Sequence, residues 1–185
     1  MSEGVVNKQE LRKILANKRD LIENRAEKSK IIQNILCKLD FYENSKNVMV
    51  YSSIKSEVST DLLIDRLFLE NKRVIFPKCA ENFELLPVEA ASRAELSKKS
   101  YGILEPKASV SFPKEKIDIV IIPAIAYDTK KNRLGYGAGY YDRFLADFKG
   151  VKVGFCFKEM LTSEKIPVNK FDIKVDIIIT DYGIY

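Results

Sequence analysis

The sequence contains no histidine, and this absence excludes several kinds of active site. Without histidine the chain cannot form a Ser-His-Asp triad, a Cys-His dyad, a histidine-bound zinc site or a histidine general base. We therefore expect any metal site to use oxygen ligands, which favour magnesium over zinc or copper.

Cysteine is scarce as well, since only Cys37, Cys79 and Cys156 occur and they lie far apart in the sequence. An odd number of cysteines without a CxxC pair argues against a disulfide framework. We expect each one to be a small buried apolar residue rather than a nucleophile. The sequence also lacks a signal-peptide segment and any apolar run of transmembrane length, so we expect a cytoplasmic protein without membrane contacts.

The length of 185 residues and a hydrophobic content of 46% predict a single domain, residues 1–185, with a sizeable core. The net charge of +5 is spread along the chain. It is explained either by a solvated basic surface or by a preference for anionic ligands such as nucleotides or polycarboxylates. It is too small and too dispersed to indicate nucleic-acid binding by itself.

Helical and strand-like segments alternate along the chain, which predicts an α/β fold with three layers and a mainly parallel central sheet. Asn7 is the predicted cap of the first helix. Further helices are predicted near 31–40, 60–69 and 140–148, and strands at 47–53, 73–78, 83–88, 117–123, 151–157 and 175–180. Residues 90–100 fit a short helix weakly, and 101–106 fit a turn-rich loop.

The sequence R-L-G-Y-G-A-G-Y-Y-D-R, residues 133–143, contains three glycines at alternate positions. Glycines spaced in this way let backbone N–H groups approach a ligand closely. The start of a helix directly afterwards offers unpaired N–H donors to an anion. The segment is neither a Walker A motif nor a GxGxxG fingerprint, and we interpret it as a phosphate-binding loop of another kind.

Charged residues in and beyond this loop suggest how it could bind phosphate. Arg133 and Arg143 could contact phosphate oxygens with two hydrogen bonds each. Asp142 has two explanations that the sequence does not separate, a favourable interaction with the helix dipole or a magnesium ligand beside the phosphates. In the second case, Asp172 is the most suitable additional oxygen ligand.

Three positions outside the loop are further candidates. Lys8 and Arg12 lie four residues apart on one helix face, so they either reach a phosphate together or belong to a solvated face. Glu57 follows a predicted strand, where open α/β sheets bind ligands, although the sequence alone favours an exposed loop carboxylate. Tyr101 could stack on a planar ligand or serve only in packing.

The extended motif R-L-G-Y-G-A-G-Y-Y-D-R-F-L resembles the signature of the 5-formyltetrahydrofolate cyclo-ligase family, also called methenyltetrahydrofolate synthetases. The resemblance spans nearly the whole chain. The other matching positions are Lys8 and Arg12, Tyr51, Ser52 and Ser53 with Glu57 and Thr60, Gly102, Ile103, Glu105 and Pro106, and Pro167, Asp172, Val175 and Asp176.

This resemblance implies a fold like that of ribose-phosphate isomerases and CoA transferases. It also implies an ATP- and magnesium-dependent closure of 5-formyltetrahydrofolate to 5,10-methenyltetrahydrofolate, with release of ADP and phosphate. The formyl oxygen would attack the γ-phosphate of ATP, and N10 would then displace the phosphate. Such chemistry depends on positioning and charge neutralisation, and it needs neither histidine nor a protein nucleophile.

The resemblance also assigns roles by matching position. Arg133, Tyr140 and Tyr141 would contact the reacting groups, and Asp142 and Asp172 would bind magnesium. Substrate would be bound by Glu57, Tyr101, Tyr136 and Tyr140. ATP would be bound by Lys8, Arg12, Arg133, Leu134, Gly135, Tyr136, Gly137, Ala138, Gly139, Tyr140 and Tyr141.

Three positions depart from the family pattern. Ala138 stands where Gly or Lys is frequent, Tyr101 where Trp or Phe is frequent, and Asn132 where Gly is usual. These departures affect one phosphate contact, the folate stacking and the geometry of the chain before the loop. We expect a monomer that acts on small molecules and binds neither nucleic acid nor membrane. A folate-binding module without activity and a basic nucleic-acid-associated protein are the alternatives.

Overall fold

The computed structural model describes residues 7–99, 103–108 and 110–185. Within these residues the α-helices are α1 (Lys8–Asp20), α2 (Arg25–Leu36), α3 (Asp40–Glu43), α4 (Asp61–Leu69) and α5 (Tyr140–Leu145). The side chain of Asn7 accepts hydrogen bonds from the backbone of Gln9 and Glu10, both at 2.9 Å, which confirms the predicted cap of α1. No helix of the described part is long and apolar enough to cross a membrane.

A seven-stranded sheet forms the centre of the protein, in the order β12-β11-β9-β6-β1-β2-β3. The strands of the described chain are β1 (Asn47–Met49), β2 (Arg73–Cys79), β3 (Leu85–Ala90), β4 (Leu96–Lys98), β5 (Leu104–Pro106), β6 (Ile119–Ile122), β7 (Ala126–Asp128), β8 (Arg133–Leu134), β9 (Val151–Phe155), β10 (Leu161–Thr162), β11 (Ile177–Thr180) and β12 (Gly183–Ile184). The five inner strands run parallel, while β3 and β12 pair antiparallel at the two edges. The predicted mainly parallel α/β sheet is therefore confirmed.

The centre of this sheet is buried, as expected for parallel strands covered by helices. All four residues of β6 are buried, and Val48 of β1 pairs with Ile119 on one side and Val74 on the other. Helix α2 packs on β11, and α4 packs on β2 and on α2. The backbone N–H of Leu63 in α4 donates to the buried side chain of Gln33 in α2 at 2.6 Å, which fixes the two helices against each other. The three-layer arrangement and the likeness to ribose-phosphate isomerases stay predictions.

Several local predictions are wrong because tertiary pairing outweighs local pattern. Strand β4 lies where a short helix was expected, and it pairs with β5 in the segment expected to be a loop. Strand β8 occupies the start of the glycine segment and pairs with β7 in a separate three-stranded sheet. Helix α5 ends at Leu145 instead of 148. Cys37 and Cys156 are buried as expected, but Cys79 is exposed because it ends β2 at the rim of the sheet.

The buried carboxylate of Asp128 fixes the turn that leads into β8. Its Oδ1 accepts the backbone N–H groups of Lys130 and Asn132, and its Oδ2 accepts the side-chain amide of Asn132 and the backbone N–H of Ile166, at 2.8–3.0 Å. Asn132, one of the three departures from the family pattern, therefore stabilises the turn through its own side chain. The glycine segment thus begins from a rigid point.

We predict that Asp128→Asn lowers the free energy of unfolding by about 2–3 kcal/mol, because an amide NH₂ would face two N–H donors inside the protein. Asp147→Asn is the matched control, since the Asp147 side chain is 79% exposed and pairs with Lys114 at the surface. The control should lose much less, because exposed ion pairs contribute little to stability. Urea unfolding monitored by circular dichroism measures both values. Equal losses in the two variants would contradict a stabilising role for the Asp128 contacts.

Candidate functional site

A cavity of about 810 Å³ lies beyond the carboxyl ends of the parallel strands. Its wall includes Tyr51 and Ser52 after β1, Cys79 at the end of β2, and Pro123 after β6. Open α/β sheets bind their ligands at this edge, because the connections that leave neighbouring strands diverge there. The volume lies within the range of small-molecule sites.

This cavity brings together every described residue predicted for the site, although these residues are distributed over most of the chain. Tyr101 lies outside the described residues. The predicted residues in the wall are Lys8, Arg12, Glu57, Arg133, Leu134, Gly135, Tyr136, Gly137, Ala138, Gly139, Tyr140, Tyr141, Asp142 and Asp172.

The glycine loop, defined here as residues 135–139, owes its shape to two left-handed glycines and to contacts from outside. Gly137 and Gly139 have φ values of +107° and +72°, which other residues adopt only with strain. Arg12 of α1 donates from Nε to the carbonyl of Gly135 at 2.8 Å, and its guanidinium lies against Gly137. The face shared by Lys8 and Arg12 is therefore directed at the loop and not only at solvent.

Arg143 supports the loop in a way that its predicted phosphate contact did not anticipate. It donates from Nη2 to the carbonyl of Ala138 and from Nε to the carbonyl of Phe83 at 3.0 Å. Its guanidinium also lies 5.4 Å from the centre of the Phe83 ring. In this structure Arg143 therefore joins the loop to the turn between β2 and β3.

Arg133 and Asp142 form an ion pair within the cavity wall, with Nη2 and Oδ1 2.7 Å apart and side-chain exposures of 5% and 22%. Asp142 Oδ1 also accepts the backbone N–H of Ile173 at 3.1 Å. Arg133 Nη1 is the single buried side-chain nitrogen or oxygen of the described residues that has no hydrogen-bond partner. A buried donor left unpaired is costly, so a ligand oxygen at this point would be favourable.

A second ion pair lies in the cavity wall, between Lys8 of α1 and Asp172. Asp172 Oδ2 also accepts the backbone N–H of Asn169 at 2.6 Å. Both side chains are only about one-fifth exposed, at 23% and 20%. The two candidate metal ligands, Asp142 and Asp172, therefore each lie beside a candidate phosphate-binding cation.

Asp142 and Asp172 are suited to bind magnesium because each has a carboxylate oxygen that the described part of the protein does not use. Asp142 Oδ2 and Asp172 Oδ1 accept no hydrogen bond from the described residues, so each side chain keeps one oxygen available. No cluster of three or more metal-binding side chains occurs among the described residues. Magnesium commonly uses one or two carboxylates and completes its coordination with water and phosphate, so two are sufficient.

Glu57 also lies in the cavity wall, where two hydrogen-bond donors hold its carboxylate. Tyr136 of the glycine loop donates its hydroxyl to Oε1, and the backbone N–H of Ile54 donates to Oε2 at 2.9 Å. Burial raises the pKa of the Glu57 carboxyl above its ordinary value. The two hydrogen bonds and the charge of Arg19 offset only part of this rise. Glu57 is thus a half-buried wall residue and not a solvated loop carboxylate.

The adjacent tyrosines of the motif have different partners. The Tyr140 ring meets the Phe83 ring edge to face, with centroids 5.9 Å apart. The Tyr141 ring lies beneath the Arg133 guanidinium at 5.6 Å. Burial, and after it the charge of Glu57, raises the pKa of the Tyr141 phenol well above its ordinary value, so the hydroxyl stays protonated and can donate a hydrogen bond.

Sequence reasoning missed Arg19, which lies in the interior with only 6% of its surface exposed. The spacing of Lys8, Arg12 and Arg19 could have indicated that Arg19 faces the same way as the two predicted cations. Intervals of 4 and 7 residues place all three on one side of a helix. Its neighbours Lys13 and Lys18 are exposed, as a solvated face requires.

Comparison with known proteins gives a consistent result across sequence and structure. The profile of the 5-formyltetrahydrofolate cyclo-ligase family matches residues 5–181. The chain is 34% identical over 177 residues to the 5-formyltetrahydrofolate cyclo-ligase of Haemophilus influenzae, covering 90% of this chain and 94% of that one. The 5,10-methenyltetrahydrofolate synthetase structure from Aquifex aeolicus superimposes with a TM-score of 0.85 at 34% identity, covering 96% and 91% of the two chains. The synthetase from Mycoplasma pneumoniae, at 23% identity, shares the fold with a TM-score of 0.76 and covers 95% and 99%.

We predict that Gly137→Ala lowers the free energy of unfolding by about 1–2 kcal/mol, because alanine is strained at this backbone conformation. The new Cβ would also lie 3.2 Å from Cζ of Arg12. Gly135→Ala is the matched control, since its Cβ would meet only Arg133 Nε at an ordinary 3.7 Å. The control should change stability by less than about 0.5 kcal/mol. Urea unfolding separates the two outcomes, and a more damaging Gly135→Ala would contradict the loop geometry.

Proposed function

Because the chain belongs to the 5-formyltetrahydrofolate cyclo-ligase family, we propose that it closes 5-formyltetrahydrofolate to 5,10-methenyltetrahydrofolate at the expense of ATP. The protein is an enzyme of the ligase class, as its relatives are. The observation that supports the full reaction is the composition of the cavity. The same cavity is lined by cations suited to phosphate and by a carboxylate suited to a pterin. The glycine loop lines it as well.

The phosphate side of the proposal rests on Lys8, Arg12 and Arg133. These three cations line the cavity beside a loop whose glycines leave its backbone accessible. The unpartnered Nη1 of Arg133 is a donor that a phosphate oxygen would satisfy. Ala138 contributes no polar side chain, so the loop would bind phosphate there through its backbone alone.

Asp142 and Asp172 would hold the magnesium ion through their free oxygens. When bound, the ion would neutralise phosphate charge and thereby ease transfer of the γ-phosphoryl group. Its binding would compete with the ion pairs to Arg133 and Lys8, and those two cations would then face the phosphates instead.

The folate side of the proposal rests on Glu57. Each of its oxygens has one protein donor and can accept a second, so the carboxylate suits the paired N–H donors of a pterin edge. Tyr136 and Tyr140 would provide ring surface along the loop. Tyr101 would take the stacking position on the opposite side of the pterin.

The reaction needs a better leaving group on the formyl carbon. The formyl oxygen would attack the γ-phosphorus, the bond between this phosphorus and the β,γ-bridging oxygen would break, and ADP would leave with that electron pair. N10 would then attack the formyl carbon and lose its proton, and the C–O bond would break to release phosphate. Arg133 would stabilise charge on the transferring group, and the protonated hydroxyl of Tyr141 would donate to an oxygen close by.

A turnover assay tests this function directly. With ATP, magnesium and 5-formyltetrahydrofolate, we expect the absorbance of the methenyl product to rise, and omission of ATP to abolish the rise. Folded protein that binds the folate but gives no ATP-dependent product would support the non-catalytic alternative. Retention on RNA or DNA that weakens steeply with salt would support the nucleic-acid alternative.

We predict that Arg12→Gln raises the KM for ATP about 10- to 100-fold, as expected for loss of ~1.5–3 kcal/mol from a charged hydrogen-bond donor. The KM for the folate should change far less, because Arg12 touches the loop at Gly135 and Gly137 and not at Glu57. Lys13→Gln is the matched control, since it removes one positive charge from an exposed position of the same helix. Steady-state kinetics with each substrate varied in turn supply the comparison. An unchanged KM for ATP in Arg12→Gln would exclude Arg12 from the nucleotide site.

A further inference from the structure

Arg19 is buried, yet it has no direct ionic partner among the described residues. No carboxylate of the described residues lies within 4.0 Å of its guanidinium, and only 6% of the residue is exposed. Removing an unpaired charge from water is costly, so such a residue is retained only where other contacts compensate for its burial. The contacts of Arg19 therefore indicate its purpose.

Those contacts join α1 to three other segments. Nε donates to the hydroxyl of Ser56 at 3.1 Å, and Nη1 donates to the carbonyl of Ala124 and to the hydroxyl of Tyr136, both at 3.0 Å. The guanidinium also lies 5.9 Å from the centre of the Tyr136 ring. Arg19 thus touches the loop after β1, the segment after β6 and the glycine loop at once.

Two carboxylates compensate the charge indirectly, each through a hydroxyl. The Ser56 hydroxyl donates a hydrogen bond to Asp20, and the Tyr136 hydroxyl donates one to Glu57. The second bridge ends on the carboxylate that faces the cavity. A hydroxyl has one proton to donate, and a guanidinium can only donate. The Tyr136 hydroxyl must therefore accept from Arg19 and direct its proton towards Glu57.

We propose that Arg19 is a positioning residue for the folate side of the site, holding Tyr136 so that its hydroxyl orients the Glu57 carboxyl as an acceptor for two ligand N–H groups. This inference rests on the proposed function for the identity of the ligand. The geometry supplies the direction of every hydrogen bond in the bridge. Arg19 itself does not line the cavity and acts through Tyr136.

The charge of Arg19 should also appear in the pH dependence. The charged and titratable groups that face Glu57 are Arg19 of α1, Tyr136 of the glycine loop, and Tyr51, Tyr127 and Tyr141. Arg19 is the cation of this group and lowers the pKa of Glu57. Loss of Arg19 would raise that pKa, so folate binding would fail at a higher pH as the solution is acidified.

We predict that Arg19→Gln raises the KM for 5-formyltetrahydrofolate at least about tenfold, as for loss of ~1.4 kcal/mol, while the KM for ATP changes less than about threefold. The fall of kcat/KM for the folate at acidic pH, its acid limb, should begin at a higher pH. In Arg19→Lys the acid limb should stay near that of the wild type, because the charge remains. The KM should still rise in this variant, because an ammonium group lacks the planar fork that reaches both hydroxyls.

Lys18→Gln is the matched control, since it removes the same charge from the exposed neighbouring position. Thermal unfolding of each variant checks folding, and if Arg19→Gln does not fold, Tyr136→Phe tests the same bridge by removing one hydroxyl. A purely structural role for Arg19 would lower the amount of active enzyme and leave both the KM and the acid limb unchanged. That result would overturn the proposal.

Calorimetric titration of 5-formyltetrahydrofolate without ATP keeps this inference separate from the proposed reaction. If the wild type forms no methenyl product, the proposed function is wrong, yet weaker folate binding by Arg19→Gln would still support the positioning role. If the wild type is active and both proteins bind the folate equally well, the positioning role is wrong and the proposed function stands.

Discussion

The support that α1 gives to the glycine loop is the constraint on which the rest of the site depends. A loop with two left-handed glycines has little regular hydrogen bonding of its own, so its conformation must be imposed by its surroundings. Arg12 holds the carbonyl of Gly135, and Arg19 holds the hydroxyl of Tyr136, the next residue. One rigid helix thereby sets the positions of the proposed phosphate side and the proposed folate side together, and catalysis by positioning requires such a fixed relation.

The parallel sheet explains why residues so distant in sequence meet in one cavity. Segments after β1, β2 and β6 reach the same edge, and their side chains form the floor and walls. Asp128 and Asn132 then fix the start of β8, from which the glycine loop extends. The glycine loop therefore extends from a strand whose start is held by side-chain contacts.

Sequence patterns were sufficient to predict the mainly parallel sheet and the glycine loop, whereas distant cavity residues such as Glu57 were assigned through the family resemblance. Apolar runs mark buried strands, alternate glycines mark a close backbone approach, and Lys8 and Arg12 share a helix face. Arg19 and Asp128 were missed because their importance comes from partners remote in sequence, such as Ser56 and Ile166. Strands β4 and β8 were missed for the same reason, since two or three residues form a strand only when a partner segment is present.

The ion pairs Lys8–Asp172 and Arg133–Asp142 form a group of four charges in the cavity wall that sum to zero. A metal-free nucleotide arriving there would meet cations already neutralised, and a lone divalent ion would meet carboxylates already neutralised. Binding of either one alone would leave two side chains of like charge without an ionic partner, in a space with little access to solvent. A metal–nucleotide complex carries charges of both signs and would offer a new partner to all four groups in a single exchange. Charge neutralisation at these four groups would therefore favour the complex over its separated components.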